Sequence, residues 1–169
     1  MKMRILMLAT LFLGALIQQL LPAWPLFGGM KPPILPALCL HYALRRNFKD
    51  MWIAVLVAAV LQDGLDLGTF GPALLAFPLI GLAANRIRAE IFSEALVTQI
   101  CFGAAMGLFT TFIAVLVYAA SGQRPFGAGL TLLRLAGSLL LGMATLPLVS
   151  RSIVWLENAL PKRRGYGWQ

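Results

Sequence analysis

The sequence predicts an all-α, polytopic membrane protein: a six-transmembrane-helix bundle forming a single integral membrane domain. Three observations carry this. Of 169 residues, 60% are hydrophobic and only 12% are charged, whereas a soluble domain usually carries about 45–50% apolar and about 25% charged residues. The apolar residues fall into six runs separated by short polar segments. The cations are spread very unevenly over those segments. A water-soluble globule of this composition, with a mean hydropathy of +0.83, would expose most of its apolar surface. Disorder is excluded by the same apolar content. The length leaves no room for a folded soluble domain beside the bundle.

The spans follow from the pattern in order. Span 1 covers about residues 5–21, after the charged start Met1-Lys2-Met3-Arg4. No small-residue cleavage site follows it, so it reads as a retained span rather than a signal peptide. A loop with Pro22, Pro25, Gly28 and Gly29 leads to span 2, about 27–44, which carries Pro32, Pro33 and Pro36 near its start. The basic turn Arg45-Arg46-Asn47-Phe48-Lys49-Asp50 separates it from span 3, about 51–67. The tight turn Gly68-Thr69-Phe70-Gly71-Pro72 opens span 4, about 73–85. A polar stretch with Arg86, Arg88, Glu90 and Glu94 precedes span 5, about 95–120; the Gly-rich loop 121–129 precedes span 6, about 130–149. The basic tail 150–169 either extends span 6 or lies along the membrane interface.

The uninterrupted apolar parts of spans 2, 3 and 4 are shorter than the roughly 20 residues a bilayer core needs. A re-entrant hairpin of spans 2 and 3 would bury Arg45, Arg46 and Lys49, each at a cost of at least about 2.5–3.5 kcal/mol. True spans packed against other helices are therefore the better reading. Charge agrees. With six spans, one side carries Lys2, Arg4, Arg45, Arg46, Lys49, Arg86, Arg88, Arg151, Lys162, Arg163 and Arg164, eleven cations in all; the other carries two, Lys31 and Arg124. Cations accumulate in cytoplasmic loops, so both termini are expected in the cytoplasm of a bacterial inner membrane. Trp24, Trp52, Trp155 and Tyr118 fall near the expected interfaces. The net charge of +8 thus reports topology, and nucleic acid is not the expected partner. Cys39 and Cys101 form neither a disulfide framework nor a metal-ligand spacing.

Asp63 and Asp66 are the sharpest polar feature. Their i, i+3 spacing puts both carboxylates on one helical face near the outer end of span 3. Either one caps the turn while the other pairs with a neighbouring span, or the two contact an ion or substrate, or they serve acid–base chemistry. Arg134 sits about one turn into span 6 from the same side, and an intramembrane arginine should face the bundle and pair with an acid. A bridge from Arg134 to Asp63 or Asp66, locking span 6 against span 3, is the expectation; snorkelling to the outer headgroups is the alternative. His41 is expected to be hydrogen-bonded or interfacial, since no second ligand stands at metal spacing. No catalytic constellation is evident, and no cofactor or metal is expected. Gly103 and Gly107 form a GxxxG on span 5, and Ser138 and Gly142 a small-xxx-small pair on span 6. These stripes serve packing within the bundle or against a partner's helix. Pro72, Pro78 and Pro147 mark expected breaks or kinks.

The stretch from Pro32-Pro33-Ile34-Leu35-Pro36 through Tyr42-Ala43-Leu44-Arg45-Arg46, with Gln62-Asp63-Gly64 and Gly68-Thr69-Phe70-Gly71-Pro72-Ala73-Leu74-Leu75, resembles the rod-shape-determining protein MreD family. The likeness covers roughly residues 30–88. Val57-Ala58-Ala59-Val60 departs from it, standing where many members carry a glycine, which leaves the packing of span 3 open. The resemblance implies a non-enzymatic subunit of the bacterial cell-elongation complex. Such a subunit binds the single-span protein MreC, and through it the MreB filaments and the RodA–transpeptidase peptidoglycan synthase. It also implies an architecture similar to the six-helix substrate-binding subunits of ECF-type transporters. Asp63, Asp66, Gly68, Gly71, Pro72 and Arg134 would organise the outer side, with a groove for a partner's transmembrane helix; a homodimer is left open. The rival reading is a substrate-binding subunit of an ECF-type vitamin or metal transporter, which needs a solute pocket near the outer face. Asp63, Asp66, Gln62 and Arg134 are the polar groups available there, and the long loops offer no obvious binding aromatic beyond Phe126.

Overall fold

Proline and glycine set where the helices start. A computed structural model describes residues 2–66, 71–87, 96–122 and 127–159, without the side chains of residues 2, 3 and 159. These residues form six α-helices: α1 (Lys2–Leu20), α2 (Ile34–Arg45), α3 (Phe48–Leu65), α4 (Pro72–Ile87), α5 (Leu96–Ala120) and α6 (Ala128–Ala159). Gly68, Arg88, Glu90, Glu94, Arg124, Phe126 and the Lys162-Arg163-Arg164 cluster lie outside the described residues. Two helices, α5 and α6, are long and apolar enough to cross a membrane.

The second helix is shorter than the span expected over 27–44. A single 3-10 turn, Pro25–Phe27, ends in Gly28 and Gly29 with φ of 66° and 74°, a left-handed geometry that no helix continues through. Pro32 and Pro33 then hold the residues before them extended, and helix begins only at Ile34. Twelve residues rise only about 18 Å. The short helix is nevertheless well placed. It is buried from Leu35 to Ala43 and packs against all five other helices. The connector fills the space beyond its start: Phe27 sits so close to Gly137 of α6 that an added Cβ there would lie 2.8 Å from the Phe27 Cβ.

Around α2 the core is made from inward faces. Met7 and Leu11 of α1, Met51 and Val55 of α3, and Phe77 of α4 are almost fully buried. The buried phenol of Tyr42 meets Thr10 Oγ1 at 2.6 Å, and buried His41 meets Ser150 Oγ through Nδ1 at 3.0 Å. His41 is thus hydrogen-bonded, the first of the two expectations for it. The outward faces remain apolar, with Phe12, Leu13 and Leu16 on α1, Leu75 and Leu79 on α4, and Leu148 on α6 all exposed.

Side-chain contacts fix the directions of α1, α2, α3 and α6, and backbone contacts to Asp63 and along the glycine seam fix those of α4 and α5. At one end Arg4 Nε donates to Asp50 Oδ1 at 2.7 Å, tying the start of α1 to the start of α3. Arg46 pairs with Glu157, tying the end of α2 to the last turns of α6. Arg45, Lys49, Arg86 and Arg151 belong to the same end by their places in the helices. At the other end Gln18 meets Gln62, and Gln19 Nε2 donates to the Leu65 carbonyl at 2.8 Å. The helices therefore alternate, and the described chain starts and finishes at its basic end. This is the alternation that the uneven cation distribution requires.

Of the two readings of the tail, extension is the one that residues 150–159 adopt: they continue α6 past Val149 as one helix of 32 residues, because Ser150 and Ile153 are buried against the bundle and Glu157 holds Arg46. Pro78 and Pro147 break neither α4 nor α6, which run through them. The Arg46–Glu157 pair, with both side chains 22% exposed, yields a first prediction. Arg46→Glu lowers the thermal midpoint, and adding Glu157→Arg restores part of the loss. A double-mutant cycle is expected to read a coupling of about 1 kcal/mol, the upper range for partly exposed pairs.

Candidate functional site: a capped, cavity-bearing end

The end opposite the arginines is built around two helix starts. A helix leaves its first four N–H groups without intrahelical partners. For α4 these are met from another helix. Asp63, buried near the end of α3, accepts from Ala73 N at 2.9 Å through Oδ1, and from Gly71 N at 3.1 Å and Leu74 N at 3.0 Å through Oδ2. The chain reaches this position through Gly71, whose φ of 134° is open to glycine, and enters the helix with Pro72, a residue suited to the first helical position. The carboxylate also faces the positive end of the helix dipole. Of the readings of the acidic pair, capping is the one Asp63 adopts.

The start of α2 is treated in the same way. Its preceding residue, Pro33, makes no side-chain cap. Instead Gln18 of α1 accepts the Leu35 N–H through Oε1 at 2.9 Å and donates through Nε2 to Gln62 Oε1 at 2.8 Å. Gln62 Nε2 then donates to Asp66 Oδ2 at 2.8 Å. A hydrogen-bonded chain thus runs from α2 through α1 to the end of α3. Gln18→Leu, which leaves the Leu35 N–H and Gln62 without this partner, is expected to cost about 1–2 kcal/mol in a chemical or thermal unfolding assay. Gln18→Glu, which keeps the acceptor, is expected to cost less.

Among the described residues no hydrogen bond or ion pair joins Arg134 to Asp63 or Asp66. Arg134 Nε donates to the Gly28 carbonyl at 3.1 Å, so it ties α6 to the α1–α2 connector. Both Asp63 oxygens are already engaged by backbone N–H groups, and Asp66 turns its Oδ2 to Gln62. Among the described elements, α3 and α6 do not pack against each other, so a lock between them is not made.

The small-residue stripes settle on packing within the bundle. Gly103 and Gly107 of α5 meet Gly142 and Ser138 of α6. A Cβ added at Gly103 would lie 2.2 Å from the Gly142 carbonyl oxygen, and one at Gly107 would lie 2.1 Å from that of Ser138. The two backbones touch, and this stripe is covered by α6 rather than left for a partner's helix or a second copy.

Between these capped starts lies a cavity of about 540 Å³, within the roughly 300–1,000 Å³ range of small-molecule sites. Its polar wall includes Gln18, Lys31, Gln62, Asp66, Tyr118 and Arg134; Pro36, Ala76, Phe77 and Val115 supply apolar surface. The structure thus brings together Asp63, Asp66, Pro72 and Arg134, all of which line this space. Gly103 and Gly107 stand apart in the α5–α6 seam. Gln18 and Tyr118 are additions. The signal for Gln18 is a glutamine pair inside an otherwise apolar run; Tyr118 reads as an interfacial aromatic until α5 is packed against α4 and α6. Comparison with protein-family models, curated proteins and solved structures returned no match.

Proposed function

We propose that this chain is a six-span, non-catalytic subunit of a bacterial inner membrane, acting as a scaffold in the cell-elongation complex in the manner of the rod-shape-determining protein MreD. The observation that supports it most is the Asp63 joint. Gln62-Asp63-Gly64 and Gly71-Pro72-Ala73-Leu74, on which the resemblance rests, meet in space because Asp63 holds the start of α4. The matching stretch is a single mechanical unit rather than a scatter of similar residues. On this reading the basic end faces the cytoplasm. The outward apolar faces meet lipid and one transmembrane helix of MreC, whose orientation the bundle fixes, and no reaction is carried out.

The cavity favours a second reading, a solute-binding subunit of an ECF-type transporter, because such a subunit needs a polar pocket near its outer face. One experiment separates the two. The protein is purified from its native membranes in mild detergent and its companions are identified by mass spectrometry. MreC, with or without the RodA synthase, is the expected companion. An ATPase pair with a coupling subunit would overturn the scaffold reading in favour of the transporter.

A further inference from the structure

Asp66 and Arg134 line one cavity, although the helices beside which they stand do not pack against each other. The cavity therefore presents both signs of charge. Two cations, Lys31 and Arg134, share it with two carboxylates, Asp63 and Asp66. Asp63 is committed to the start of α4. Asp66 uses Oδ2 on Gln62, and among the described residues neither its Oδ1 nor the Tyr118 hydroxyl has a hydrogen-bond partner. Both are suited to an ammonium group. Lys31 gives Nζ hydrogen bonds to the carbonyl and Oε1 of Gln19 at 3.4 and 2.9 Å, and an ammonium has three N–H groups to give. Lys31 and Arg134 come from separate elements, so they suit an anion with several acceptor oxygens, which describes phosphate better than carboxylate. Phe77 and Val115 add apolar surface to a wall that also carries Gln18, Gln62, Thr110 and Thr111.

We propose that this cavity binds the aminophosphate head of an amphiphilic zwitterion. The ammonium lies on Asp66 and Tyr118, the phosphate on Lys31 and Arg134, and the apolar body against Phe77 and Val115. The same head chemistry is offered by an ethanolamine phospholipid of the bilayer and by soluble O-phosphoethanolamine. The inference does not rest on the rod-shape reading, and the companions found by co-purification leave it untouched.

The test is native mass spectrometry of the full chain in detergent, titrated with dioleoylphosphatidylethanolamine, with O-phosphoethanolamine, and with dioleoylphosphatidylglycerol, which has no ammonium. The ethanolamine head is expected to be held about ten-fold more tightly than the glycerol lipid, and Asp66→Asn and Lys31→Gln are each expected to weaken it about ten-fold. Ala114→Trp, which fills the cavity from α5, abolishes binding; unfolding midpoints show that each variant is folded. Binding of the lipid alone assigns the ligand to the bilayer, and competition by O-phosphoethanolamine assigns it to the soluble pool; both uphold the proposal. Equal retention of the glycerol lipid, unchanged binding by folded Asp66→Asn and Ala114→Trp, or no adduct with either ethanolamine probe would overturn it.

Discussion

Asp63→Ala is expected to lower the stability of the detergent-solubilised bundle by about 2–4 kcal/mol. The carboxylate is buried and accepts three backbone N–H groups at the start of α4. Hydrogen bonds to a charged group are worth about 1.5–3 kcal/mol each, though three bonds to one group do not add fully. Removing the side chain leaves three N–H groups, that of Ala73 buried, without their acceptor. Asp63→Asn keeps one acceptor oxygen and is expected to lose about half as much. Asp63→Lys is worse than alanine, because it places a cation against the positive end of the α4 dipole. Thermal unfolding of the three variants checks the order. A loss for alanine no larger than about 0.5 kcal/mol, the size of an ordinary surface substitution, would mean that the joint does not hold α4.

The second large effect lies in the α5–α6 seam. Gly107→Val and Gly103→Val are each expected to cost about 3 kcal/mol or more, the upper end of overpacking penalties. Even alanine must push two backbones apart, since an added Cβ at Gly107 meets the Ser138 carbonyl oxygen at 2.1 Å, and that oxygen cannot rotate away. Gly64 supplies the contrast. It lies inside α3 with nothing within 4 Å of an added Cβ. Gly64→Ala is therefore expected to stabilise by about 0.5–1 kcal/mol, the helical preference of alanine over glycine. Unfolding midpoints that fall for Gly107→Ala and rise for Gly64→Ala would confirm that close approach, not helix propensity, places glycine at 107. Equal shifts in both would contradict it.

Much of this fold is legible in the sequence because membrane patterns are local. Apolar runs mark six helices, the cations mark alternate ends, and the spacing of Gly103 with Gly107 and of Ser138 with Gly142 matches the seam between two neighbouring helices. Nothing local marks α2 as the central helix. A helix that is apolar all round reads the same whether it faces lipid or five other helices, and only its short length hints at the difference. The pairing of Arg134 with an aspartate failed for a related reason. The charges do share one end, but backbone N–H groups carry no letter in a sequence, and they take Asp63 first. Gln18 is the same case in reverse: it caps a helix beginning at Ile34, a relation that exists only after α1 and α2 are packed. The cavity is a property of six helices together and has no signature in any one of them.

The claim on which the functional account stands is that six helices cross the membrane, with the arginine end inside and the cavity end outside. Single cysteines placed in a Cys39→Ala, Cys101→Ser background test it in intact cells with a membrane-impermeant thiol reagent. Lys31→Cys and Ser121→Cys are expected to be labelled from outside, while Lys49→Cys and Ser152→Cys are labelled only after the membrane is opened. Labelling of Lys49→Cys in intact cells, or protection of Lys31→Cys and Ser121→Cys, would contradict the six-span arrangement and the scaffold reading with it.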